Sequence, residues 1–479
     1  MRFLITSLQT YESEFYGVVG EELERRGHEV THVTESRRAA KELRGRGVDA
    51  RAMPDLAAEL GPPTSLEEEV RRIEAAYPIP HLRDVYRNDK ACAGRSEDWC
   101  IRRTVDRFRA LERVFDEVRP DVALPEVGNE TIRIAAHLVA NRRGVPALFI
   151  LHTIFPNPLR VYVDTLHAKI GPLDELRELT AEERAEVEEF RAAFTSAATP
   201  IREFRRVPVE ARRAKVFAGH LARKLTDDRD NDYLHPWRLL HQNVSEWLRA
   251  RAARPFYDRI DAVAASAAGE AGGARQIELG RPFVYFPLHV TDDYKIQRLV
   301  PHCVDQASLV EQVADALPQG HDLVLKEHPM SLGRNSIRLL RRLRQRPNVR
   351  LVEPYTSTHE LIRRSEAVAV IGSTVGLEAL LYDKPVLTLG DPYYAGFGVT
   401  LDVDSFAELH AKVPQLLRFR PDPERIARFL HLCMRHSEPG QPLLVDRSEA
   451  NALTVADTLE RAARAATRER ARVPEPSVA

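Results

Sequence analysis

The chain has 479 residues, more than one hydrophobic core ordinarily serves, so two or three domains are expected. Lys and Arg number 70 against 71 acidic residues, and this balance excludes bulk electrostatic capture of nucleic acid. No apolar run approaches the ~18 residues of a membrane-spanning helix, and the apolar start of the chain is too short for a signal peptide. We therefore expect a cytoplasmic protein that has no nucleic-acid partner.

The first 165 residues predict a Rossmann-like domain. Phe3–Ser7 has the pattern of a buried strand, Phe15–Arg26 that of an amphipathic helix closed by Gly27, and Glu29–Thr34 that of a second strand. This βαβ start lacks the GxGxxG of dinucleotide-binding domains. Farther on, Ala147–Leu151 predicts another strand, which ends at His152.

The remaining chain divides into three parts. Residues 166–275 predict a helical insert or bridge, with long charged helices such as Ile201–Lys224 and a Gly-rich linker at 268–273. Strand and helix alternate again over 276–415, which predicts a second Rossmann-like domain. Residues 416–479 predict C-terminal helices and a disordered tail. The predicted fold class is α/β, with two Rossmann-like domains facing across a cleft.

The most informative stretch is Gly372-Ser373-Thr374-Val375-Gly376-Leu377-Glu378-Ala379-Leu380, between two short apolar runs. It predicts a small-residue turn that opens a helix at the carboxyl end of a parallel strand. Backbone N–H groups and the helix dipole favour a phosphate at such a place. Ser373 and Thr374 add hydroxyl donors, and Glu378 lies one turn into the helix, in reach of sugar hydroxyls.

Further candidate residues lie at the ends of two other predicted strands of the second domain. One strand ends in Lys326-Glu327-His328-Pro329, and another ends at His289. Because ligands of open α/β sheets bind beyond the carboxyl ends of the strands, these residues are candidates for the same phosphate site. His289 is equally compatible with a core position.

The second domain resembles the capsular-polysaccharide biosynthesis glycosyltransferases of bacteria over roughly residues 280–400. The resemblance rests on several pieces in one order: Tyr285–His289, Val324–Pro329, Pro347–Leu351, Gly372–Leu380, Lys384–Val386 and Gly390–Tyr394. It implies a GT-B type enzyme whose C-terminal domain binds a nucleotide-sugar donor, similar to bacterial sialyltransferases and Kdo transferases in the His-Pro and Ser-Thr pieces.

The resemblance also implies roles for individual residues. His328 would hydrogen-bond the donor phosphate, Pro329 would fix its turn, and Ser373 and Thr374 would bind the same phosphate. Glu378 would bind ribose hydroxyls. Lys326 would add positive charge near the leaving nucleotide, although a solvent-facing strand end is its more common role. No resident cofactor or metal is implied, since the nucleotide sugar is a substrate.

The catalytic group is harder to predict. Glycosyl transfer needs a carboxylate or histidine that deprotonates the acceptor, or a nucleophile. The acidic and Gly-rich pattern of the family's first domain is absent here, and Asp292-Asp293 is followed by Tyr294. The candidates are Glu126 and Glu130, beyond one predicted strand, and His152.

The sequence leaves three functions open. The first is a transferase of surface polysaccharide assembly, which uses a CMP- or UDP-type donor and a saccharide or lipid-linked saccharide acceptor. The second is a GT-B-shaped nucleotide-sugar epimerase, and the third a non-catalytic scaffold that retains the nucleotide pocket. A series of arginines near the C-terminus predicts a basic helix, either solvent-facing or in weak contact with an anionic membrane: Arg461, Arg464, Arg468, Arg470 and Arg472.

Overall fold

The computed structural model describes residues 1–197, 218–219, 221–222, 225, 231–233, 236–260, 275–277 and 279–472. Its N-terminal half contains a parallel sheet of order β3-β2-β1-β4 with helices around it. The elements are β1 (Arg2–Ser7), α1 (Thr10–Arg25), β2 (Glu29–Thr34), α2 (Arg37–Gly45), β3 (Asp49–Ala52), α3 (Met53–Leu60), α4 (Leu66–Ala76), α5 (Arg83–Tyr86), α6 (Glu97–Val118), β4 (Val122–Leu124), α7 (Thr131–Arg142), β5 (Leu148–His152) and β6 (Leu159–Val163).

The βαβ start forms as the sequence predicts. Phe3, Leu4 and Ile5 of β1 are fully buried because helices cover both faces of the parallel sheet. Gly27 follows α1 with a φ of 84°, a left-handed conformation that costs glycine little. This half of the predicted fold class is therefore confirmed.

The strand predicted before His152 forms, but it does not continue the parallel sheet of the first domain. β5 pairs antiparallel with β6 and touches the main sheet only through a parallel bridge between Ala123 and Ala147. The chain reverses in the Pro-containing loop 153–158, where the Thr153 N–H donates to the Pro158 carbonyl at 2.7 Å. His152 still ends its strand beside the carboxyl end of β4.

Between the two sheets the chain forms α8 (Ala181–Ala197) and α9 (Pro236–Ala253). The predicted helix Ile201–Lys224 lies almost entirely outside the described residues, and the linker 268–273 and the tail Val473–Ala479 lie wholly outside them. The end of the predicted insert is not purely helical, because β7 (Asp258–Ile260) and β8 (Arg275–Ile277) pair with each other and extend the second sheet through β7. That sheet thus begins before the predicted boundary at residue 276.

In the described residues the second sheet is parallel, with the order β14-β13-β12-β9-β10-β11-β7-β8. Its central strands are buried along their whole length, as expected of strands covered on both faces. The elements are β9 (Phe283–Leu288), α10 (Gln306–Ala316), β10 (Asp322–Glu327), α11 (Ile337–Leu343), β11 (Val349–Val352), α12 (Thr358–Arg364), β12 (Ala367–Val370), α13 (Thr374–Leu381), β13 (Val386–Thr388), β14 (Leu401–Asp402) and α14 (Leu409–Leu416).

Two long helices end the described chain. α15 (Pro423–Arg435) packs with the second domain and α8, whereas α16 (Glu449–Arg472) returns to the first domain and packs along α1. The molecule is therefore an α/β protein with two Rossmann-like sheets facing across a cleft, the GT-B arrangement. Among the described residues, no helix has both the length and the apolarity that a membrane crossing requires.

Candidate functional site

A cavity of about 870 Å³ lies between the two sheets, where the carboxyl ends of their strands meet. Its walls contain nearly all of the predicted site residues. The first domain contributes Glu126, Glu130 and His152, and the second contributes Lys326, His328, Pro329, Ser373, Thr374 and Glu378. The structure thus brings both predicted groups to one cleft, although they come from distant parts of the sequence.

The wall of the second domain is built around the turn that opens α13. Ser373 is the N-cap residue, and its Oγ accepts a hydrogen bond from the Val375 N–H at 3.2 Å. The Tyr394 hydroxyl donates to the Ser373 carbonyl from below. These bonds fix the turn so that Ser373 and Thr374 face the cavity at the positive end of the helix dipole.

His289 is the predicted site residue that does not line the cavity. Its Nε2 accepts from the Gly372 N–H at 3.2 Å, so the ring supports the turn that opens α13. Burial, with the charges of Lys295 and His328, lowers the pKa of His289 to about 3, which keeps the ring neutral as this acceptor role requires. His289 therefore contacts the backbone of this turn and does not itself line the cavity.

His328 stands at the start of a short 3-10 turn, Pro329–Ser331, in the cavity wall. Its Nδ1 accepts from the Met330 N–H at 3.1 Å. A neutral imidazole whose Nδ1 accepts carries its proton on Nε2, so His328 has a fixed N–H donor. This is the orientation that a phosphate ligand needs.

Lys326 and Glu378 form the floor of this wall, and both are largely buried. The Lys326 ammonium donates to the Thr356 carbonyl at 2.9 Å and to the Thr358 hydroxyl. Burial lowers the pKa of Lys326 to about 8 and raises that of Glu378 to about 7. The charge of each group partly opposes the pKa shift that burial causes in the other. Lys326 therefore does not have the solvent-facing position that is more common for such a residue.

The wall of the first domain holds Glu126 in an unusual backbone conformation. Glu126 has a φ of 62°, a left-handed value that a non-glycine residue adopts at some cost. The Tyr16 hydroxyl donates to its carboxylate, and the preceding turn is held by the Thr6 hydroxyl, which donates to the Pro125 carbonyl at 2.9 Å. Burial raises the pKa of Glu126 to about 7; Arg133 opposes this change and Glu12 adds to it.

Glu130 differs from Glu126 because it is already paired. The Arg133 guanidinium lies 3.1 Å from Glu130 and 3.0 Å from Glu12, and it joins both carboxylates in the cavity wall. Glu130 would have to leave Arg133 before it could accept a proton as a general base. Glu126 has a pKa near neutral pH, which suits a general base. Of the two glutamates, the geometry favours Glu126.

Several residues of the site were missed in the sequence. Tyr16, Glu12 and Arg133 surround the two glutamates, Thr356 and Thr358 bind Lys326, and Tyr233 lies in the wall between the domains. The Tyr233 hydroxyl donates to Asp89 at 2.9 Å, which anchors a segment of the insert to the first domain. No local pattern marks these residues, because each has at least one partner in the site that is 30 or more positions away in the sequence.

The four cysteines are buried and free. Within the described parts of the chain, no group of three or more His, Cys, Asp or Glu side chains is arranged to hold a metal ion.

Residues 197–423, a little under half of the chain, match the family model described as "Capsule polysaccharide biosynthesis protein". Protein FixF of Sinorhizobium fredii is 31% identical over 156 residues, or 32% of this chain and 37% of that protein. The capsule polysaccharide export protein KpsS of Escherichia coli is 36% identical over 89 residues, or 17% of this chain and 22% of KpsS. The chain therefore matches much less than two thirds of these relatives, and the similarity supports a capsule polysaccharide biosynthesis family.

Solved structures resemble the chain more loosely. The beta Kdo 2,4 transferase of Thermosulfurimonas dismutans KpsC covers 65% of this chain and 79% of its own, with 13% identity and a TM-score of 0.33. The UDP-GlcNAc 2-epimerase of Neisseria meningitidis covers 96% and 100%, with 15% identity and a TM-score of 0.29. Similarities this loose carry no argument about substrate or reaction.

Proposed function

We propose that the protein is a glycosyltransferase of surface or capsular polysaccharide assembly. It transfers a sugar from a CMP- or UDP-type donor to a saccharide or lipid-linked saccharide acceptor. One observation carries this proposal: a single cavity has the N-terminus of α13 with Ser373 and Thr374 on one wall and, on the other, a carboxyl group with a pKa near 7. The similarity to capsule polysaccharide biosynthesis proteins supports the same reading.

The donor nucleotide lies against the second domain in this proposal. Its phosphate accepts hydrogen bonds from His328 Nε2, from Ser373 and Thr374, and from the backbone at the start of α13. Glu378 accepts from ribose hydroxyls. Fixed donors of this kind stabilise the negative charge that develops on the phosphate as the glycosidic bond breaks, which is a main source of catalysis.

The acceptor lies against the first domain. Glu126 removes the proton from the attacking hydroxyl, whose oxygen forms a bond to the anomeric carbon while the bond from that carbon to the phosphate oxygen breaks. The electron pair of the broken bond stays on the phosphate, and the proton stays on Glu126. Lys326, His328 and the helix start supply the positive potential that a cation supplies in other transferases, so we propose transfer without a bound metal.

The test is a calorimetric panel of CMP, UDP, GDP and dTDP against the wild type, His328→Ala and His81→Ala. His81 is 80% exposed on the first domain and serves as the matched control. We expect one pyrimidine nucleotide to bind, and His328→Ala alone to weaken that binding by about 10- to 100-fold, the value of a hydrogen bond to a charged group. If none of the four nucleotides binds, the proposal is wrong.

Turnover assays then separate the three candidate functions. Transfer to a saccharide or lipid-linked acceptor supports the transferase. Isomerisation of a UDP-sugar without any acceptor indicates the epimerase, and nucleotide binding without either reaction indicates a scaffold. For a transferase, the anomeric configuration of the product distinguishes Glu126 acting as a base from Glu126 acting as a nucleophile.

A further inference from the structure

A short segment after β9 connects the two domains directly. Asp292, at its start, forms a salt bridge with Arg334 of its own domain at 2.9 Å. The same residue reaches the first domain twice: its carboxylate lies 3.6 Å from the Lys90 ammonium, and its carbonyl accepts from the Asn129 side chain at 3.1 Å. Asn129 is the neighbour of Glu130 in the sequence. The segment is therefore fixed on both sides of the cleft.

The residues that follow Asp292 enter the cavity wall. Asp293, Tyr294 and Lys295 all line the cavity, and a π-helical turn, Lys295–Leu299, carries the chain away from it. The Asp293 carboxylate accepts from the Lys295 N–H at 2.8 Å and fixes the start of that turn. Single π-helical turns occur often at functional sites because they re-aim a side chain.

Lys295 differs from the other cations of the cavity in its surroundings. Lys326 donates to Thr356 and Thr358, Arg133 is paired with Glu12 and Glu130, and Lys90 is paired with Asp292. The side chain of the half-buried residue Lys295 has no hydrogen-bond acceptor or salt-bridge partner among the residues that the structure describes. A cation that is partly desolvated without a counter-charge calls for an anionic ligand.

Lys295 is linked through His289 to the turn that opens α13. Its charge acts on His289, which holds the Gly372 N–H at the start of that turn. The charge of His328, which is the proposed hydrogen-bond donor to the phosphate, acts on the same imidazole. Lys295, His328 and Ser373 thus line the same cavity and reach it from three different loops.

We propose that Lys295 is a donor-binding residue that contacts the phosphate of the bound nucleotide, held in place by the contacts of Asp292 with the first domain. This inference rests on the proposed function. Because the segment is anchored across the cleft, the approach of the two domains and the binding of the donor phosphate depend on each other. Asp292 acts as a positioning residue and does not touch the donor.

The test compares nucleotides with nucleosides, which lack the phosphate. Calorimetry measures the affinity of CMP, UDP, cytidine and uridine for the wild type, Lys295→Met, Lys295→Arg and Asp292→Asn. The control is Lys41→Met, an exposed lysine of α2. We expect Lys295→Met to weaken nucleotide binding by about 10- to 100-fold without changing nucleoside binding, and Lys295→Arg to recover most of it. Asp292→Asn weakens nucleotide binding by about 3- to 10-fold.

Each other outcome has a separate meaning. If Lys295→Met binds nucleotide as tightly as the wild type does, this inference is overturned and the proposed function stands. Equal losses for nucleotide and nucleoside show a structural role for Lys295 and also overturn it. A wild type that binds none of the nucleotides overturns the proposed function together with this inference. Wild-type affinity in Asp292→Asn removes the positioning role of Asp292.

Discussion

Replacement of Glu126 by glutamine tests two properties of this residue: its role as a proton acceptor and the loss of folding stability that its ionisation causes. The carboxyl lies in the cavity wall between the Tyr16 hydroxyl and the Arg133 guanidinium, and burial raises its pKa to about 7 from the ordinary value of 4.5. Glutamine keeps the size of the side chain and can accept from Tyr16, but it cannot take a proton. We expect Glu126→Gln to lose transfer activity by about 10²- to 10⁴-fold, the usual contribution of a general base.

The same substitution should stabilise the protein at high pH. A carboxyl with a higher pKa in the folded state holds extra protons between pH 4.5 and 7, so stability falls as the pH rises through that window. The full difference between the folded and the ordinary pKa of Glu126 corresponds to a loss of about 3 kcal/mol of folding stability above pH 7. Because Glu126 is partly exposed to the cavity, solvent screening reduces this to about 1–2 kcal/mol. Glutamine removes the cost of ionisation, so the gain appears above pH 7 and vanishes below pH 4.5.

Scanning calorimetry of the wild type and Glu126→Gln at pH 4.5 and pH 8 measures this gain. We expect the transition of the first domain to rise by about 3–6 °C at pH 8 and to stay unchanged at pH 4.5. Glu130→Gln is the matched control: it removes a partner of Arg133, so it should not stabilise the protein at either pH. An unchanged or lower transition temperature for Glu126→Gln at pH 8 would refute the reasoning, as would full transfer activity.

Two further substitutions test the framework of the site. Gly376→Ala places a methyl group against the Tyr394 hydroxyl and Val370, so we expect the free energy of unfolding to fall by about 1–3 kcal/mol and nucleotide binding to weaken in calorimetry. The control is Gly45→Ala, where a Cβ meets no atom within 4 Å, and it should be neutral. Asp89→Asn weakens a buried carboxylate that accepts from Arg103, Thr131 and Tyr233, so urea denaturation should show a loss of about 3–5 kcal/mol. The exposed Asp55→Asn should cost less than about 1 kcal/mol, and equal losses for the two aspartates would contradict this account.

The cavity wall of the second domain could be predicted because its parts are local in the sequence. A strand, a small-residue turn and a helix follow each other from Ala367 to Leu381, and the burial of β12 and the N-cap at Ser373 depend on residues within that stretch. His328 and Pro329 likewise follow their own strand directly. Local propensity and hydrophobic periodicity are sufficient for such units.

The cavity wall of the first domain could be predicted only as a set of candidate residues. What distinguishes Glu126 from Glu130 is contact with Tyr16 and the pairing of Arg133 with Glu12, and these partners lie more than 100 positions upstream in α1. A pKa is set by desolvation and by nearby charges, which the sequence does not place. The same reason explains His289, whose partner Gly372 comes from a different strand end 83 positions away.

The last helix explains why α1 can hold these partners in place. Along α16, Ala452, Val455 and Leu459 are buried against the first domain, so the apolar side of this helix is already occupied by α1 and its neighbours. Its arginines are mostly engaged as well, since Arg461 and Arg464 pair with glutamates and Arg470 with Asp164. Weak membrane contact through this helix stays a prediction, whereas its packing has a direct structural consequence. α1 carries Glu12 and Tyr16 on its cavity side and rests on α16 behind, so the C-terminal end of the chain supports the geometry of Glu126.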